Sequence, residues 1–399
     1  VANTQTAYIT NNNNTVSVIN IATNTVTDTI TGFNNPWGVS VSPDGSKVYV
    51  TNVNSNTVSV INSASNTVST TIPVGASPVG ISVSSDGSKV YVSNNGNNTV
   101  SVINSANNTV TATIPVGTGP DGVSVSPDGS KVYVANNGGG YGNTVSVINS
   151  ATNNVTATIP VGTGPRCVSV SPDGSKVYVT NNGGGYGNTV NVINSATNNV
   201  LDTITVGSGA LGVSISPDGS KIYVVNLMSN KVSVIDSTTN TVTATITVGH
   251  EPMGISVSPD GSKVYVANNL DNTVSVINTA TNAVSATILV GSGYNPVAFG
   301  NFISIYPLTG IAPQSMEEAN IAVYPNPAAN TITIDVPKAA VGSIQEAVIE
   351  ITNIQGQSIL QQTVQQGKTD INISSLAKGV YILRLLSNYK TEVTRIVKE

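Results

Sequence analysis

The chain has 399 residues, of which 9% are charged and 39% hydrophobic, a formal net charge of −5, one cysteine and one histidine. A single cysteine excludes an internal disulfide, and a lone histidine argues against the usual His- and Cys-rich metal sites. No basic stripe suits nucleic acid, and no run of roughly 18 apolar residues suits a membrane helix. With so few charges, solubility rests on Asn, Thr and Ser. The chain opens at Val1 without Met or a signal sequence, which removal of a signal peptide would explain, as would trimming of the chain.

In chain order, the stretch SPDGSKVYV at 42–50 returns at 84–92, 126–134, 171–179, 216–224 and 258–266 with small changes, so the repeat steps by 42 or 45 residues. Within one repeat, 121–159, the runs DGVSVS, KVYVANN, NTVSVIN and NVTATI alternate β-branched with small or polar residues. Each is bounded by Gly, Pro, Asn, Asp or Ser, the mark of short strands. Four such strands per period of about 40 to 45 residues describe a propeller blade.

Tyr49, Tyr91, Tyr133, Tyr178, Tyr223 and Tyr265 mark six repeats, and Tyr8 marks an earlier one that lacks its first strand. A matching strand is expected at 297–303, in NPVAFGNFI, closing seven blades over residues 1–303 and removing the open sheet edge. YIT-N, YVT-N, YVS-N and YVA-N, each followed by TVSVIN and the SPDG turn, resemble the YVTN family of seven-bladed propellers. That family is known mostly from archaeal and bacterial surface proteins and has no single activity.

Periodicity stops after 303, and 304–320 reads as a linker. Residues 321–399 hold strand-like pieces expected to form an Ig-like β-sandwich, so the whole chain reads as all-β. The tail resembles the C-terminal sorting domain of the type IX secretion system of Bacteroidota. The resemblance rests on Tyr324, Pro325, Asn326 and Pro327, on the turn around Gly356, on Leu376, Gly379 and Tyr381, and on the basic ending at Lys398. It implies contact with the type IX machinery and a secreted or cell-surface protein.

Chemistry is sparse. The Pro-Asp-Gly turns, with Lys47 and its equivalents three residues after each Asp, read as tight turns in which each Lys neutralises its own Asp. The variable positions instead gather on the face holding the loops between blades and those between second and third strands. There Trp37, Asp121 and Arg166 open first strands, while three-residue insertions in GGGYGN bring Tyr141 and Tyr186 to the same sector. Aromatic rings beside an opposite-charge pair suit a glycan or peptide ligand.

His250 and Glu251 lie in the loop before the seventh blade. A propeller enzyme of lyase or dehydrogenase type would need them to converge with Asp121 and Arg166 at the channel mouth. Thr29, Thr203 and Ser237 fit Asp-Ser/Thr patterns of O-glycosylation. The sequence reads best as a non-enzymatic, exported propeller without cofactor or metal, acting in adhesion or assembling as a homopolymer into a surface layer or filament.

Overall fold

A computed structural model describes residues 5–291, 293, 295–304, 322–324, 328–336, 346–352, 358–365, 367–386 and 391–398. The chain is all-β and divides into two compact units, Val1–Gly310 and Ile311–Glu399. The first unit is a β-propeller of successive antiparallel sheets. Its opening sheet has the strands Thr6–Asn11, Thr15–Asn20 and Thr25–Thr31. Six four-stranded sheets follow, the first made of Pro36–Val41, Lys47–Asn52, Thr57–Asn62 and Thr67–Pro73.

Burial explains the strand patterns. The second and third strands of a sheet are covered on both faces by neighbouring sheets, so KVYVTN at 47–52 and TVSVIN at 57–62 are buried almost throughout. The fourth strand lies at the rim, and TVSTTIP at 67–73 accordingly alternates Thr and Ser with apolar residues and is largely exposed. A register shift between Val60 and Ile61 interrupts its pairing and recurs in each sheet, a device that blunts an exposed edge.

Toward the axis, the first strands approach closely enough to require glycine. A Cβ on Gly80 would stand 2.2 Å from the Asp121 carbonyl oxygen. Cys167 holds the equivalent place in the fifth sheet.

The sheets are joined by a contact that corrects the reading of the lysines. Lys89 Nζ does not turn back to Asp86; it donates to the Ser150 carbonyl of the following sheet at 2.7 Å. Lys47 reaches Ser105 at 2.5 Å, Lys176 reaches Ser237 at 2.5 Å, Lys221 reaches Thr279 at 3.0 Å, and Lys131 reaches Ser195. Lys263 closes the series on Ile21 of the opening sheet at 2.8 Å, where the Tyr265 hydroxyl donates to the same oxygen at 3.1 Å.

The turn aspartates are instead held by serine. Asp86 accepts from Ser84 Oγ at 2.6 Å and from Ser88 N and Oγ at 3.0 and 2.7 Å. These bonds, Ser84 first, pull the Asp86 carboxyl down to about 2, and similar bonds do the same to Asp128 and Asp173. Gly87 adopts φ +72° in this turn, as the Asp-Gly pattern requires.

The segment expected to close the first blade lies beside Thr6–Asn11, with Tyr8 N donating to Phe302 O and Val297 N to Thr10 O, both at 2.8 Å. It makes isolated bridges rather than the regular strand expected at 297–303. Ala298 at φ +46° and Gly300 at φ +110° turn its backbone out of the extended form. Phe299 O and Asn301 O thereby accept from Val39 and Val41 of the second sheet, so the segment ties two sheets together.

The second unit contains two antiparallel sheets. One orders Ala322–Tyr324, Thr331–Val336 and Gly367–Asn372; the other orders Ser358–Gln365, Glu346–Thr352, Gly379–Leu386 and Thr391–Lys398. Ile332, Ile334 and Ile371 from the first meet Ile349, Leu383 and Ile396 from the second in one buried core. Apart from Ser304, the expected linker lies outside the described residues.

Two outcomes follow for stability. Lys89→Met leaves the Ser150 carbonyl without its charged donor and is expected to cost about 1–2 kcal/mol in urea unfolding, whereas the exposed Lys231→Met changes stability by less than about 0.5 kcal/mol. The turn carboxyls titrate lower in the folded ring than their ordinary value of 3.8. Their contribution is therefore complete above that pH and is lost as pH falls toward about 2. Ser→Ala changes at Ser84, Ser126 and Ser171 are expected to flatten this acid limb in pH-dependent melting.

Candidate functional site

The loops between sheets and those between second and third strands share one face. On it, Trp37, Val79, Asp121 and Arg166 surround a cavity of about 540 Å³. Beneath, the void between the first strands narrows to about 50 Å³, and the opening above it forms a basin. Trp37 is fixed by stacking on Phe299, with ring centres 5.6 Å apart and planes 5° from parallel.

Asp121 is buried, and Arg166 Nε meets its Oδ2 at 2.9 Å while the arginine side chain remains 27% exposed. Burial pushes the Asp121 carboxyl above the usual range, and the guanidinium opposes that shift. The Asp121 backbone is pinned as well, since Ser93 Oγ donates to its carbonyl oxygen. Cys167, the next residue along from Arg166, has its thiol pushed far above the ordinary range, chiefly by burial. Its nucleophilic form is correspondingly suppressed.

The two insertions form matching loops. In each, a short 3₁₀ turn, Gly138–Gly140 or Gly183–Gly185, is followed by the tyrosine. Gly142 is obligatory, because a Cβ there would lie 2.1 Å from the Asn136 carbonyl oxygen. The loops touch: a Cβ on Gly140 would be 3.0 Å from Gly184 Cα. Their glycines wall the basin, and Tyr141 and Tyr186, 84% and 74% exposed, follow directly in the same loops. Trp37, Asp121, Arg166 and the glycines of the two tyrosine loops line the same basin.

His250 and Glu251 are on this face but do not line the basin. His250 Nδ1 sits 2.8 Å from Asp271 Oδ1, and its backbone N–H donates to Oδ2 at 2.8 Å, which holds the Asp271 carboxyl below its usual range. Asp271 is a partner that sequence reasoning missed. Glu251 is exposed at φ +49°, with its N–H on Asn230 Oδ1. The convergence needed for an acid–base site with Asp121 and Arg166 is not realised. Among the described residues, no group of three or more His, Cys, Asp or Glu side chains is placed to hold a metal ion.

Sequence reasoning also missed Met228 and Leu270, 49% and 58% exposed, in the corresponding loops of the sixth and seventh sheets. Aligning the repeats on their second-strand tyrosines was the signal that could have found them.

Of the modification candidates, Thr29 and Ser237 are half-buried and Thr203 is exposed. The Thr203 hydroxyl accepts from Asn191 Nδ2 at 2.8 Å, and the Ser237 carbonyl receives Lys176. In the tail, Leu376 and Tyr381 are buried, and the Tyr381 hydroxyl donates to Ala377 O at 2.8 Å. Lys368 Nζ lies 5.8 Å from the Tyr324 ring centre. Gly379 pairs in register with the largely buried Lys398. Pro325, Asn326, Pro327 and Gly356 lie outside the described residues.

Two families match parts of the chain. Residues 322–399 match the secretion system C-terminal sorting domain, which marks the chain for export by the type IX system to the cell surface or extracellular space. Residues 213–294 match the YNCE-like beta-propeller. No curated protein matches. Among solved structures, a functionally unknown protein from Desulfotomaculum acetoxidans DSM 771 is similar at 17% identity and TM-score 0.64, over 74% of this chain and 99% of that one. Kuenenia stuttgartiensis hydrazine synthase aligns at 22% identity and TM-score 0.48, over 63% of this chain and 97% of that one. The likeness to the Desulfotomaculum protein concerns the fold, which does not carry a function.

The ion pair gives a stability outcome. Arg166→Leu strands the buried Asp121 carboxyl and is expected to cost about 3 kcal/mol or more in urea unfolding. The double change Asp121→Val with Arg166→Leu supplies residue types already present at Val79 and Leu211, equivalent positions of other sheets. It should restore stability to within about 1 kcal/mol of the native chain.

Proposed function

We propose that the protein is an exported, non-enzymatic binding protein of bacterial surface type. Its seven sheets act as a seven-bladed ring presenting one ligand site, and its tail serves the type IX machinery, as in Bacteroidota. One observation carries this reading. In a molecule built from near-copies of one repeat, departures gather on one face, where Trp37, Asp121 and Arg166 line a basin together with glycines of the two tyrosine loops. Drift alone would scatter such changes over both faces.

A binding role also suits the chemistry. The arginine is engaged by a carboxylate, the thiol is suppressed, and the histidine lies away from the basin. What remains is a shaped surface of mixed polarity, with Trp37 and Val79 beside Asn35, Asn95, Asn137 and Asn182, suited to holding a ligand. Adhesion through this basin is the form we favour over assembly into a layer or filament.

The test is binding of the full-length chain to glycan and peptide arrays, with light scattering of the same sample. Retention that disappears in the Asp121→Val/Arg166→Leu variant supports the reading. Retention that survives in that variant would falsify the assignment to the basin, and growth into polymers without any ligand would favour the assembly role. Turnover of a retained compound, lost on His250→Ala, would establish the enzyme alternative instead.

A further inference from the structure

Exposed apolar side chains continue past the basin. Four successive sheets, the fourth to the seventh, each raise one large apolar side chain from the loop between second and third strands: Tyr141, Tyr186, Met228 and Leu270. The same loop in the first three sheets carries only small or polar residues, at 12–14, 53–56 and 95–98, apart from the half-buried Val53. The first three of these loops adjoin one another. Gly140 abuts Gly184, and a Cβ on Gly185 would lie 3.8 Å from Met228 Cε. An arc therefore leads from the rim of the basin across four of the seven sheets.

We propose that this arc takes a linear, uncharged glycan, with sugar rings seated on Tyr141 and Tyr186 and the chain running over Met228 toward Leu270. The proposal rests on the binding role assigned to the basin and names its ligand class.

Charge argues for an uncharged ligand. The two glycine loops contain no ionisable group besides their tyrosines, and Arg166 already faces Asp121. Farther along, Lys231 and Glu251 bring one charge of each sign, and Asp271 carries His250. Neither sign dominates, so an anionic or cationic polymer would gain little there.

Backbone pairing argues against a peptide strand. Gly138 N donates to Thr118 O and Gly183 N to Thr163 O, both at 3.0 Å; Met228 N donates to Ser208 O at 3.2 Å and Leu270 N to His250 O at 3.3 Å. An extended peptide added edge to edge needs open main-chain groups, and these are engaged. The same bonds hold the loops in place, so exposed side chains are presented with little ordering cost. A sugar ring offers what fits this surface: an apolar C–H face for an aromatic ring, and hydroxyls for the Asn-rich surroundings.

The experiment is calorimetric titration of the full-length chain with neutral oligosaccharides of increasing length, alongside uronic-acid and sulfated chains and an extended peptide pool. Affinity is expected to rise with length, and Tyr141→Ala/Tyr186→Ala is expected to lower it about tenfold or more. Met228→Ser/Leu270→Ser should weaken only the longer chains. All four side chains are exposed, so thermal unfolding should be unchanged and serves as the folding control.

The arc fails as a glycan track if affinity is flat with length and indifferent to these four positions, while the Asp121→Val/Arg166→Leu variant still loses binding. The basin reading then stands alone. Stronger binding of acidic chains, or of peptide through the tyrosines, overturns the uncharged-glycan assignment. If neither sugar nor peptide binds the native chain, the basin reading fails with it.

Discussion

A lysine ammonium seated on the carbonyl of the next sheet is the contact on which the ring depends. A single sheet of this kind cannot bury both faces alone, so its Val, Ile and Tyr are satisfied only by neighbours, and the last sheet must meet the first. Apolar packing supplies the drive but is indifferent to register along the sheet. Lys89 on Ser150, repeated around the ring to Lys263 on Ile21, supplies a directional stop at the same height in each interface. The buried tyrosine of the same strand packs beside it, and in Tyr265 its hydroxyl shares the acceptor.

This arrangement explains why the two faces differ. One face is built of the SPDGSK turns, where Ser84 and Ser88 hold Asp86 and Lys89 leaves for the next sheet. A change there disturbs a turn and an interface together. The other face carries connections whose backbone groups pair locally, such as Gly138 with Thr118 and Leu270 with His250. Side chains on those loops can change without unseating a neighbour. Insertion is tolerated as well, provided that glycine takes the left-handed positions, as Gly139 does at φ +68°.

Much of the ring was legible because its rules are local. Strand runs, the Asp-Gly turn and the burial of KVYV all follow from spacing within one repeat. What escaped were partners distant in sequence. Lys89 and Asp86 stand three residues apart and invite pairing, yet the lysine's acceptor lies 61 residues on, in another sheet. Asp271 is 21 residues from His250 and becomes its neighbour only because adjoining loops stack. The closing segment reads as a strand by composition, but its residues must serve two sheets at once, and Ala298 takes a left-handed turn to do so. At the site, the inserted tyrosines announced themselves by an altered period, whereas Met228 and Leu270 arose by substitution alone and left no such mark.

The Asp121–Arg166 pair bears on why the basin exists. Val79 precedes it and Leu211 follows it at equivalent positions, so the fold accepts apolar residues there, and Leu211 joins a buried cluster. A buried ion pair is a weak source of stability compared with such replacements, because two charges must be withdrawn from water to form it. It does fix the orientation of the guanidinium at the rim, where the arginine is still partly exposed. Positions that break a repeat's own rule without a gain in stability are where function is expected. Here the break occurs in two adjoining sheets, the same two that carry the inserted loops, and both changes face the same basin.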